Sequence, residues 1–269
     1  MPASRIPAPL RQPLADCVAC LRFYSRLPLP VFAFETQPHA MLDFSRAIAM
    51  LPVAGALLGC IGALALLAAG ALHLSPAIAA TLAIATMVAS TGAMHEDGLA
   101  DTADGFGGGG SIARKLEIMK DSRIGAYGGA ALVLALLLRV EAVAALAERG
   151  LMLAALAMIA CAAVSRVAGL LPLLLLAPAR AEGAGFSAPR PSWRAFGQAA
   201  ILAAAVALLP LAGGAPSRSI ALAGLLAALA AYCVVRLAAA QIKGQTGDVA
   251  GAAQQAAEIG FLLGLAAGI

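Results

Sequence analysis

The chain has 269 residues; Ala, Val, Ile, Leu, Met, Phe, Trp, Tyr and Cys make up 62% of them, charged residues only 12%, and the mean hydropathy is +0.91. Soluble domains run at about 45–50% apolar and about 25% charged, and a water-soluble fold of this length cannot hide the excess. Disorder, a nucleic-acid-binding domain and a small disulfide scaffold are excluded. The composition predicts an all-α, polytopic membrane bundle with the lipid bilayer as solvent and no nucleic-acid partner.

The N-terminal segment carries Arg5 and Arg11 but no apolar core followed by a cleavage site, so it does not read as a secretory signal. Cys17 and Cys20 form a lone C-x-x-C; with five cysteines in all, they read as apolar packing residues rather than a zinc site. A spanning helix needs about 20 mainly apolar residues. Such stretches cover 47–72, 77–94, 126–147, 151–177, 196–211 and 220–240, and a last short one ends the chain, giving about seven spans. Between the second and third, residues 95–125 hold ten of the thirty-two charges. The whole chain reads as one membrane-embedded catalytic domain over 1–269, with 95–125 as a cytoplasmic motif loop.

With the N-terminus in the cytoplasm, fourteen Lys and Arg fall on that side and only Arg149 and Arg218 on the other. This is the bias of the positive-inside rule. The same orientation puts every Gly-rich polar stretch on one face, where separate loops can converge on one site. Arg139 and Arg166 fall inside spans, where charge is expensive. Arg166 is expected to face the bundle interior, with Glu258 or Glu141 as partner.

In HEDGLADTADG, Asp97, Asp101 and Asp104 stand at i, i+4 and i+7, on one helical face within about 60° of arc. Three carboxylates at this density repel one another unless a cation offsets them, and hard oxygen ligands suit Mg2+, with Mn2+ also acceptable. Glu96 points about 100° away from that face. Glu117 and Asp121 form a second acidic pair that could complete a two-metal clamp. Lys120 and Arg123 flank it and could hold phosphate oxygens. A solvated acidic loop without metal, and a surface helix with internal ion pairs, are the competing readings.

HEDGLADTADGFGG followed by EIMKDSRIGAYG resembles the adenosylcobinamide-GDP ribazoletransferase (cobalamin synthase) family. FYSRLPLP, ARAEGAGF at 179–186 and GQTGDVAGA at 244–252 are similar to it as well, in order along nearly the whole chain. The resemblance implies a Mg2+-dependent phosphotransfer in a bacterial inner membrane, with the site facing the cytoplasm. α-Ribazole or its 5′-phosphate attacks adenosylcobinamide-GDP, GMP leaves, and adenosylcobalamin or its 5′-phosphate forms. The motif also echoes the CDP-alcohol phosphotransferases, whose pattern would make Asp121 the base, but Gly108 and Gly109 stand where that pattern has Ala-Arg, and Glu117 stands where it has Asp. The resulting expectations are catalysis at Asp121 and Asp104, metal at Asp97, Asp101, Asp104, Glu117 and Asp121, and substrate contacts from Arg26, Lys120, Arg123, Arg180 and Asp248. Glu182 is a further nucleotide contact, and His95 positions the acidic cluster. A homo-oligomer is compatible with the sequence. The alternatives are a lipid phosphotransferase using a CDP-activated donor, and a divalent-cation transporter, whose ionisable residues should lie at the bilayer midplane.

Overall fold

A computed structural model describes residues 7–38, 40–180 and 190–268, except the side chain of Ala8. Among the described residues there is no β-strand. Helix α1 (Ala8–Tyr24) ends where Ser25 turns extended ahead of Leu-Pro-Leu-Pro. A 3-10 turn (Ala47–Met50) leads into α2 (Leu51–Ala71), which has a proline in its first turn, where no amide partner is lost. Helix α3 (Pro76–Thr91) starts at Ser75, whose Oγ accepts from the Ile78 N–H.

Gly92 and Ala93 then both take positive φ (65° and 57°), and the chain bends by 88° into α4 (Met94–Gly108). Short α5 (Ile112–Ile118) is followed by α6 (Ala126–Arg149), α7 (Leu151–Ala168), α8 (Leu171–Leu175), α9 (Trp193–Val206), α10 (Ser217–Gln241) and α11 (Gly247–Ala267).

Among the described residues, six segments are long and apolar enough to cross a membrane: Ala47–Ala71, Ala126–Arg149, Leu151–Leu175, Trp193–Gly213, Ser217–Gln241 and Gly247–Ala267. The bent pair α3–α4 counts as a seventh if it is one broken span. The all-α polytopic expectation therefore holds, with two differences in detail. The segment read as a motif loop is largely helical, and the final span is a full 21-residue helix. Its polar half, GDVAGAAQQAAE, is helical because Gln254, Gln255 and Glu258 turn into the bundle rather than toward water.

Small residues set the helix spacing, as expected where dispersion rather than water drives packing. A Cβ on Gly59 of α2 would lie 2.8 Å from the Ile159 Cα of α7, and one on Gly264 of α11 would lie 2.7 Å from the Ala223 Cα of α10. Helices α7 and α11 are the most enclosed spans, 67% buried, whereas α10 is 28% buried and leaves Leu225 and Leu229 outward. The main core joins Leu66, Val143, Met158, Phe261 and Leu262; a second cluster joins α1 to α2 through Cys20, Ile48, Leu51 and Leu58.

One polar group interrupts the core. Arg139 of α6 donates to Glu96 Oε1 of α4 (2.7 Å) and Gln255 Oε1 of α11 (3.0 Å), and pairs with Glu258 Oε1 (2.8 Å). Gln254 Nε2 donates to Glu258 Oε2 (2.7 Å) and to Ser165 Oγ of α7 (3.0 Å). Paired charges are the form in which ions survive burial, although Glu96 Oε2 and Arg139 Nε have no hydrogen-bond partner among the described residues. Glu258 thus belongs to Arg139, not to Arg166, and Glu141 is exposed.

Candidate active site

Helix α4 packs along the start of α11 through two glycines. A Cβ on Gly98 would meet the Asp248 carbonyl oxygen at 2.8 Å, and Gly251 lies opposite His95 and Gly98. This contact brings Asp97 and Asp101 toward Asp248. Asp97 is exposed and Asp101 half-buried; neither carboxylate has a hydrogen-bond or ion-pair partner among the described residues. Asp101 feels the negative charges of Asp97, Asp248 and Asp104, offset by Arg180.

Arg180 arrives by a separate route. Residues 177–180 run beside the turn before α11, with Ala179 N–H donating to Gln245 O and Gln245 N–H to Ala177 O, both at 2.8 Å. Arg180 then pairs with Asp248 Oδ2 at 2.8 Å. Thr246 caps α11 by accepting from the Val249 N–H. Two motifs distant in sequence thus meet at the helix carrying Asp248. Glu182 lies outside the described residues.

Asp104 is committed elsewhere. Its carboxylate accepts from the N–H groups of Gly125 (2.7 Å) and Gly128 (2.8 Å), closing the start of α6. Glu117 pairs with Arg114 at 2.8 Å on the exposed side of α5. Asp121 pairs with Arg123 at 2.6 Å, and the guanidinium holds that carboxyl down at about 2. Lys120 is exposed beside them. Asp104, Asp121 and Arg123 border an open depression of about 430 Å³. Arg26 lies at the bend instead: its N–H donates to Ser90 O at 2.8 Å, and its side chain packs where a Cβ on Gly92 would stand.

A second space opens beside the start of α4. A cavity of about 200 Å³ lies among α1, α4, α7 and α11. Phe23, Tyr24 and Phe44 form an aromatic wall; His95, Asp97, Arg166 and Asp248 supply the polar part. The His95 ring stacks on Tyr24, 5.9 Å between centroids and 2° from parallel. Burial pushes the Tyr24 phenol up, so it stays neutral. Neither Tyr24 nor Phe44 stands out in the sequence, because an aromatic near a span end has an ordinary interfacial role.

The five acidic residues singled out as ligands do not assemble into one cluster: among the described residues no three His, Cys, Asp or Glu side chains are grouped to hold an ion. Asp104, Glu117 and Asp121 have other partners, which leaves Asp97 and Asp101, one turn apart. Two uncommitted carboxylates fit a single Mg2+ that takes its remaining ligands from water and substrate phosphates.

The description "cobalamin-5-phosphate synthase" belongs to the family model that matches residues 16–266. A protein of Azorhizobium caulinodans named adenosylcobinamide-GDP ribazoletransferase is 50% identical over 252 residues, covering 94% of this chain and 95% of its own. Proteins of the same name from Xanthobacter autotrophicus (53% identical, 93% and 95% covered) and Bradyrhizobium diazoefficiens (44% identical, 96% and 95% covered) are also similar. No solved structure matches. The match spans the acidic helix, the α5 segment, the 177–180 strap and the turn before α11 in a single alignment, and on that basis the chain belongs to the cobalamin-5-phosphate synthase family.

Proposed function

We propose that the chain joins adenosylcobinamide-GDP to α-ribazole or its 5′-phosphate, at the meeting of α4 and α11. The observation carrying this reading is that Asp97 and Asp101, which have no partner among the described residues, stand near Asp248 and Arg180, and that Asp97 and Asp248 line the aromatic-walled cavity described above. A hydroxyl oxygen of the acceptor bonds to the cobinamide-side phosphorus. The bridging P–O bond breaks, GMP departs with that oxygen, and the hydroxyl proton is released.

Asp97 and Asp101 would hold Mg2+, which supplies neutralisation of charge on the phosphates as the bridge breaks. The chain's own residues do the remaining work. Arg180 is held by Asp248 close to the acidic pair, positioned to meet phosphate oxygens. The aromatic wall offers a flat face to a base. Asp121, kept ionised by Arg123, is a poor proton acceptor, so the base role suggested by the CDP-alcohol pattern finds no support in its setting. Membership of a bacterial family and the positive-inside bias together favour an inner-membrane protein whose site faces the cytoplasm.

The test is GMP release from adenosylcobinamide-GDP by the protein in liposomes, with and without α-ribazole and Mg2+. Release should require both, and should fall at least about a hundredfold in Asp97→Asn and Asp101→Asn, the loss expected when charge stabilisation at the transferred group is removed. Release unchanged in both variants would sink this assignment.

A further inference from the structure

Arg166 is the one charged side chain of the cavity that the proposed reaction leaves unused. It is 3% exposed and sits in the apolar helix α7. Its hydrogen bonding is thin: one terminal nitrogen donates to Ala162 O, its own backbone one turn back, and Nε has no partner. Among the described residues no carboxylate forms an ion pair with it. Glu96 and Glu258 contribute favourable charge, but both make their contacts with Arg139. A guanidinium has five donors in a planar fork suited to phosphate. A buried one with most of that fork idle lacks a partner.

The cavity supplies the place for one. The first turn of α11 lines the same space as Arg166 with Gly247 and Asp248. Their amides, ahead of the first intrahelical bond, present the positive end of a 21-residue helix. The space is about 200 Å³, room for a phosphoryl group and an attached ring. We infer that Arg166, with the first turn of α11, binds a phosphoryl group of one of the substrates inside this cavity. The inference deepens the proposed function and rests on it for the identity of the phosphate ester. The shared chemistry is a phosphate oxygen, carried either by the donor's diphosphate or by the 5′-phosphate of the acceptor.

Two measurements separate this from the parent reading. The first needs no turnover: the thermal midpoint of the detergent-solubilised protein is followed against inorganic pyrophosphate without added divalent ion. Wild type should be stabilised, and Arg166→Met should need at least about tenfold more pyrophosphate, the loss expected for a charged hydrogen bond. The second is KM for adenosylcobinamide-GDP, α-ribazole and α-ribazole 5′-phosphate. A rise confined to the donor assigns the group to the diphosphate; a rise for the phosphorylated acceptor with none for α-ribazole assigns it to the 5′-phosphate. If wild type releases no GMP, the parent reading fails while the pyrophosphate response still decides the site. Should Arg166→Met not accumulate, Arg166→Lys takes its place, because it keeps the charge and loses the fork. Unchanged pyrophosphate dependence in the variant that folds, or no response in wild type, would overturn the inference and leave Arg166 as counter-charge to Glu96 and Glu258.

Discussion

The Asp104 carboxylate lies 2.7 Å from the amide nitrogen of Gly125, one residue before α6 begins. Gly128 donates to its other oxygen at 2.8 Å, so one side chain of α4 closes the end of another helix. Asp104→Ala should orphan the buried Gly128 amide and free the exposed Gly125 amide, at a cost of about 1–3 kcal/mol. Asp104→Asn, which keeps one acceptor, should cost less. Thermal melts in detergent check the order; equal and negligible losses would show that these bonds carry no stability.

Gly98 sets the approach of α4 to α11. A methyl group there meets the Asp248 carbonyl at 2.8 Å, and backbone cannot swing aside as a side chain does. Gly98→Ala is expected to cost about 1–3 kcal/mol of stability. It should also lower turnover more than binding, since it separates Asp97 and Asp101 from Asp248 and Arg180. Steady-state kinetics beside a melt will tell: wild-type turnover in a destabilised protein would count against the juxtaposition.

Breaking the buried network from one side should hurt more than any surface change. Arg139→Met leaves Glu96 and Glu258 enclosed without their guanidinium, at about 3–5 kcal/mol. Replacing Arg114 in the exposed pair with Glu117 should stay within about 1 kcal/mol. Denaturation of the two variants in one detergent gives the comparison, and similar losses would refute it.

Asp121 has a pH signature. Its carboxyl sits at about 2 rather than the ordinary 3.8, because Arg123 donates to it from the side chain and the backbone. A depressed acid contributes stability that is present above its unfolded value and lost as pH falls through the folded one. Its titration therefore lies well below the working range. Asp121→Asn should leave the pH–rate profile between about pH 5 and 9 unchanged in shape; a shifted acidic limb in that variant would restore it as a proton acceptor.

The sequence exposes the spans because about twenty apolar residues have one physical use. It also exposes the acidic helix, since Asp97 and Asp101 fall one turn apart on any helical reading. What it conceals has a common cause. Reading polar residues as loop hides how far the motif segment and the first half of α11 run as helix and how deeply Gln254, Gln255 and Glu258 are buried. Glu96, Gln254, Gln255 and Glu258 face inward because they bond to one another and to Arg139, and that pairing joins residues up to 159 positions apart. The commitment of Asp104 is hidden for the same reason: its partners are 21 and 24 residues downstream, and backbone amides leave no trace in side-chain pattern. Arg166 is the converse case, since a cation in an apolar span announces itself, though Glu258, the partner proposed for it, belongs to Arg139.

The tether between Glu96 and Arg139 bears on the neighbouring residue. Asp97 follows directly on the same helix, so the bonds that fix Glu96 inward also fix the rotation at which Asp97 faces out. The acidic pair is therefore preorganised before any substrate arrives. Electrostatic effort is spent when the chain folds rather than at each catalytic cycle, and a site built this way should show the same carboxylate orientation empty as filled.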